Sequence, residues 1–189
     1  MPKPPTRVIT GHNGGTAIVT SMGPPANVFE IQTVPGVVFY ELWNTTSTPV
    51  AIDNGPDPTD KPLQIKPPPN GTVIRMIDYP PDSETFLARS AEEMRETFGE
   101  MGETDVTLRA SEARHPGMHR TETVDYAVVI SGEITLILDD SETDLKAGDV
   151  VIQRGTNHAW ANRSGAPARM LFVLMDGQYD PALVAHFSS

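Results

Sequence analysis

The sequence predicts an all-β fold, a small barrel or sandwich, on three observations. Short apolar runs follow one another closely between about residues 104 and 176, at 126–130, 134–138, 150–152 and 170–174, with polar turns between them. The 15 glycines and 18 prolines among 189 residues punctuate the chain too often for a helical bundle. Only one stretch carries a convincing 3.6-residue periodicity.

Taken in order, residues 7–10 and 17–20 flank His12-Asn13-Gly14-Gly15, where Asn-Gly tolerates the positive φ of a hairpin turn. Residues 37–43 form an apolar, aromatic-rich strand. Residues 53–70 include Pro56, Pro58, Pro62 and Pro67 to Pro69, which lack backbone donors and sustain neither ladder nor helix, so a surface loop is expected. Strand character resumes over 72–79 and stops at Pro80-Pro81. Residues 90–101 form the helix: Ser90 with Glu93 makes a capping box, and Met94, Phe98 and Met101 recur at helical spacing. It is read as an amphipathic connector without chemistry. A short helix is expected in the tail through Ala182, Leu183, Val184 and His186. The division that follows is a β-rich extension over 1–103, a barrel core over 104–176 and a tail over 177–189.

Composition narrows the function classes. A formal charge of −11 repels nucleic acid and anionic membrane surfaces, so neither is expected as a partner. The chain contains no cysteine, which removes disulfides, thiolate metal sites and thiol nucleophiles. No secretory leader or 18-residue apolar span is evident, and a cytoplasmic protein is expected.

Chemistry concentrates in two short stretches. If residues 119–125 are extended, His119, Thr121, Thr123 and Asp125 share one face, while Arg120, Glu122, Val124 and Tyr126 share the other. His158, Trp160 and Asn162 alternate in the same way. Polar groups lining the inside of a small barrel need a metal, a ligand or water as partner. Two histidines and one carboxylate are the donor set of facial-triad metal sites, which leave positions open to substrate.

The spacing resembles the two signatures of the cupin superfamily. Gly148-Asp149, Gly155, His158 and Asn162 resemble the second, and His119, Thr121, Asp125 and Gly132 the first. The resemblance implies a double-stranded β-helix, or jelly-roll, barrel with a central cavity, often dimeric through additional N-terminal strands, so a homodimer is expected. Residue by residue, it implies that His119, Asp125 and His158 are metal ligands and catalytic groups around a divalent ion such as Fe, Zn, Mn or Ni. Three departures stand out: Thr121 replaces the second histidine, Asp125 is shorter than the usual glutamate, and Gln153-Arg154 occupy the turn that commonly carries proline. The alternative is a cavity without metal, in which the same three residues form a hydrogen-bonding or acid–base set.

Further candidates for substrate contact are Arg75, His115, Thr121, Tyr126 and Trp160. Arg75, mid-strand among apolar neighbours, either holds a substrate carboxylate or pairs with an acid of the chain. His115 is placed in a loop near the barrel mouth. Tyr126 and Trp160, with Met118 and Met170, suit a planar ligand. The expected activity is that of a small-molecule enzyme, with decarboxylation or dehydration slightly favoured over ring-cleaving dioxygenation. The alternative is a cupin that binds a small organic ligand without turnover.

Overall fold

The apolar runs fold into antiparallel ladders. The computed structural model describes residues 3–103 and 113–187. The start of the expected barrel segment, 104–112, lies outside the described residues, as do the last two residues of the tail. The strands are β1 (Arg7–Asn13), β2 (Thr16–Gly23), β3 (Val28–Glu30), β4 (Val38–Thr45), β5 (Thr72–Tyr79), β6 (Thr123–Ser131), β7 (Glu133–Leu138), β8 (Glu142–Lys146), β9 (Val150–Arg154), β10 (His158–Ala161) and β11 (Ala168–Asp176). The helices are α1 (Glu84–Leu87), α2 (Ala91–Glu100) and α3 (Pro181–Phe187). None of them is long and apolar enough to cross a membrane.

Six strands form one sheet in the order β3-β4-β5-β11-β6-β9, and three form a second in the order β10-β7-β8. One apolar cluster joins the two. Phe39, Ile77, Val129, Met170 and Phe172 come from the larger sheet, and Ile134, Leu136 and Trp160 from the smaller. The N-terminal strands are not an appendage to this barrel, because β5 pairs with β11 along its whole length and supplies part of the same wall. Only the β1–β2 hairpin stands apart, and it turns on Gly14 and Gly15, both at positive φ, one residue beyond the expected Asn-Gly pair.

Three local expectations change. The proline-rich segment is not purely a surface loop: its Leu63 and Ile65 are buried in the core, because proline forbids the ladder but not burial of its neighbours. Residues 119–122 are not a regular strand, although inside–outside alternation persists through them, with Thr121, Thr123 and Asp125 buried and Glu122 and Tyr126 exposed. Strand β8 was invisible to hydrophobic periodicity, since Glu142-Thr143-Asp144-Leu145-Lys146 offers little apolar surface. Helix α2 begins where the capping box placed it, with Ser90 and Glu93 bonding reciprocally.

Gly132 shows why the β6–β7 turn carries glycine. Its φ is +79°, and a Cβ there would lie 2.7 Å from the carbonyl oxygen of Pro167 and 2.8 Å from Cα of Ala168. Gly132→Ala is therefore expected to destabilise the barrel by about 1–3 kcal/mol, read as a lower urea midpoint at unchanged slope.

Candidate functional site

A pair of main-chain hydrogen bonds brings the two histidines together. The N–H of His119 donates to the carbonyl of His158 and the N–H of His158 to that of His119, both at 2.9 Å. This isolated antiparallel bridge sets the side chains next to each other, with ring centroids 4.5 Å apart and planes inclined by 44°. Phe98 of α2 lies 5.2 Å from the His119 ring, and Trp160 lies 5.7 Å from that of His158. Nδ1 of His119 is 2.9 Å from the carbonyl of Gly117. Nδ1 of His158 is 2.6 Å from the Gln153 amide nitrogen and 3.0 Å from the carbonyl of Thr156. Burial pushes the His158 imidazole down to about 3, with the charge of His119 adding to the effect. Burial lowers His119 too, against the opposing hydrogen bond to Gly117.

The rings face a cavity of about 340 Å³. Phe39 and Ile77 from β4 and β5, Met94 and Phe98 from α2, and Phe172 and Leu174 from β11 make its walls apolar. Arg75, His115, His119, Thr121, Asp125, His158 and Trp160 also line it, so the fold gathers these seven sequence-predicted positions around one space. Tyr126 is excluded from it. This side chain is 45% exposed on the outer face of β6, because alternation from inward-facing Asp125 turns the next residue outward.

Each polar residue meets a different environment. Arg75 lies opposite Glu41 in the β4–β5 ladder and is wholly buried with it. Its Nε is 3.0 Å from Glu41 Oε1, a close ion pair without hydrogen-bond alignment, while Nη2 donates to Glu41 Oε2 at 3.2 Å and to the carbonyl of Gln64 at 2.6 Å. The guanidinium is thus engaged by the protein's own acid. His115 stands in the loop before β6 and is buried there: its Nδ1 accepts from the N–H of Gly117 at 3.1 Å and its Nε2 lies 3.2 Å from Asp82 Oδ2. Thr121 shares a hydrogen bond with Thr123, Oγ1 to Oγ1, at 2.8 Å.

Asp125 is the exception. It is 4% exposed, and its Oδ1 has no hydrogen-bond partner. Burial raises its carboxyl to about 6, against the lowering effects of a hydrogen bond from Thr123 and the charge of Arg75.

Sequence reasoning missed several wall residues. Helix α2 is not a mere connector, since its Met94, Thr97 and Phe98, with Met101 at its C-cap, line the cavity. The spacing of that face was legible, but not what it faces. Phe86 of α1, edge-on to His115 with centroids 5.4 Å apart, follows Ser83, whose hydroxyl caps the helix. Gln153 carried no signal beyond its departure from a family pattern.

Two antiparallel sheets joined by one apolar cluster, with a partly open cavity of mixed lining, define a jelly-roll barrel. Residues 105–174 match the Cupin domain family. Over 182 residues the chain is 34% identical to "Phomopsin biosynthesis cluster protein C'" of Diaporthe leptostromiformis, covering 92% of this chain and 79% of that protein. It is 31% identical to "Cupin-domain-containing oxidoreductase virC" of Hypocrea virens, covering 90% and 75%, and 32% identical to "Oryzines biosynthesis cluster protein J" of Aspergillus oryzae, covering 91% and 83%. The chain belongs to the cupin superfamily.

Cupins commonly bind metal ions. The donor set here does not fit a three-ligand ion: among the described residues, no group of three or more histidines and carboxylates converges. His119 and His158 meet, but Asp125 does not join them. It stands on β6 of the larger sheet, whereas His158 stands on β10 of the smaller, and the aspartate arm is one methylene shorter than glutamate.

The two buried groups tilt pH dependence in opposite directions. An unfolded Asp125 ionises at the ordinary value of 3.8, whereas the folded one holds its proton to about 6, so its contribution falls as pH rises through that window. An unfolded His158 protonates below 6.5 but the folded one only near 3, so its contribution falls as pH drops. Asp125→Asn is expected to gain up to about 3 kcal/mol at pH 8 and close to nothing at pH 4, read by urea denaturation at both.

Proposed function

We propose that the protein is a small-molecule enzyme of a biosynthetic route, performing lyase-type proton transfer on a mainly apolar ligand held in the barrel cavity. The observation that carries this is the partnerless, buried Oδ1 of Asp125 facing an apolar chamber. A carboxyl raised to about 6 takes and returns a proton near neutral pH, the property a general acid or base needs. The two histidines, held neutral by burial, bind a ligand oxygen by hydrogen bonds rather than by charge. In a dehydration or decarboxylation, Asp125 would move the proton while the aromatic and apolar walls exclude water. The relatives' printed names, biosynthesis cluster proteins and oxidoreductases, support work on a small organic molecule.

The word oxidoreductase favours a second reading, in which the same cavity presents the ligand to an external hydrogen acceptor. Mass spectrometry separates the two. Purified protein incubated with a small-molecule extract of cells lacking it is expected to convert one component to a product lighter by one water or one carbon dioxide. Asp125→Asn should slow that conversion by about 10²–10⁴-fold. A product lighter by two hydrogens selects the second reading. Retention of a component without conversion makes the cavity a binding site only and sinks both.

We also propose that the protein is a homodimer through its β1–β2 hairpin, where Val8, Val19 and Met22 are 52%, 58% and 72% exposed. Light scattering is expected to give twice the chain mass of 20.5 kDa, reduced to one chain by Val19→Asp with Met22→Asp. A wild-type protein that scatters as a single chain ends this proposal.

A further inference from the structure

We infer that Gln153 locks His158 in the tautomer that carries its proton on Nε2, so that His158 and His119 present the cavity with one donor and one acceptor and select a hydroxyl-bearing ligand. The tautomer assignment rests on geometry alone; the ligand class rests on the small-molecule reading above.

Gln153, on β9, is 3% exposed, and each of its amide atoms has an assigned role. The Thr156 carbonyl, which can only accept, lies 2.8 Å from one end of the amide and so fixes that end as nitrogen, while the Thr156 hydroxyl donates to Oε1 at 2.5 Å. The amide nitrogen therefore points its two hydrogens at the Thr156 carbonyl, 2.8 Å away, and at His158 Nδ1, 2.6 Å away. Two N–H donors cannot face each other at that separation, so Nδ1 accepts and the neutral ring keeps its proton on Nε2. The Thr156 carbonyl also lies 3.0 Å from Nδ1 and has a second lone pair to offer, but a proton on Nδ1 would crowd the amide N–H group 2.6 Å away, and the shorter contact decides.

His119 has the opposite assignment. Its Nδ1 lies 2.9 Å from the carbonyl of Gly117, which can only accept, so the proton sits on Nδ1 and Nε2 offers a lone pair. Two adjacent imidazoles thus differ in tautomer because one is met by an amide N–H and the other by a carbonyl. A hydroxyl satisfies both at once, donating to His119 Nε2 and accepting from His158 Nε2–H. An ether satisfies only one, leaving a buried polar atom unpaired. The same lock leaves only His119 with a free Nε2 lone pair, which adds to the separation of Asp125 in the poor fit to a metal ion.

The test uses the whole protein with ¹⁵N-labelled histidine. Long-range ¹H–¹⁵N spectra are expected to show a pyridine-like Nδ1 and pyrrole-like Nε2 for His158, and the reverse for His119. A protonated Nδ1 on His158 overturns the inference. In Gln153→Glu the carboxylate accepts, and the His158 proton should move to Nδ1; Gln153→Met, which keeps the length but removes the donor, serves if that variant does not fold. Calorimetry with 2-naphthol and 2-methoxynaphthalene reads the ligand class. The hydroxyl probe should bind at least about tenfold tighter, and Gln153→Glu, which removes the Nε2–H donor that both probes use, should weaken both while the hydroxyl keeps its advantage. Equal affinities overturn the selectivity. If neither probe binds while the tautomers are as stated, the small-molecule reading of the cavity falls and the tautomer lock stands.

Discussion

The reciprocal main-chain pair between His119 and His158 is the constraint from which the site follows. It ties the segment leading into β6, in the larger sheet, to β10 in the smaller one, and it places both imidazoles at the cavity using backbone groups alone. Because the pair is made by N–H and C=O, it consumes no imidazole nitrogen. The tail braces the same corner. The Tyr179 hydroxyl lies 2.8 Å from the carbonyl of Thr121 and 2.7 Å from that of Gly155, sharing its one proton between the two approaching segments. Gly155, at φ +61°, has no room for a Cβ beneath that ring, which would stand 2.6 Å away.

The interior distributes its charges by the same economy. Arg75 with Glu41, and Arg169 with Asp78 at 2.6 Å, are cross-strand pairs whose partners the ladder places opposite one another. Each neutralises itself within the wall, as buried charges must. Asp125 is left over. Its Oδ1 has no hydrogen-bond partner, and burial outweighs the Thr123 hydrogen bond and the charge of Arg75 in setting its protonation. In a chain with a net charge of −11 most acids stand in water, and this unpaired buried carboxyl is the feature on which the proposed proton transfer rests.

Legibility in the sequence followed the range of the physics. Period-two alternation put Thr121, Thr123 and Asp125 on one face even where the backbone is not a regular strand, because Cβ direction needs only extended φ and ψ. The same rule sent Tyr126 outward, and grouping it with the pocket had overridden that rule in favour of its aromatic chemistry. The capping box located α2 to within one residue, yet a helix face at the right spacing does not say whether it covers a core or a ligand chamber. Arg75 was open between two partners, and only the β4–β5 register settled that Glu41 holds it.

The sequence by itself determined the β class, the glycine turns, the start of α2, and the two stretches that carry imidazole and carboxyl groups, since these depend on residues a few positions apart. Only the tertiary structure decided that Asp125 stands away from the histidine pair, that α2 walls the cavity, and that Gln153 and Gly117 impose opposite tautomers. Those outcomes hang on which strand lies beside which and on side chains meeting across two sheets. Such contacts join distant residues through burial and register, and no local pattern records them.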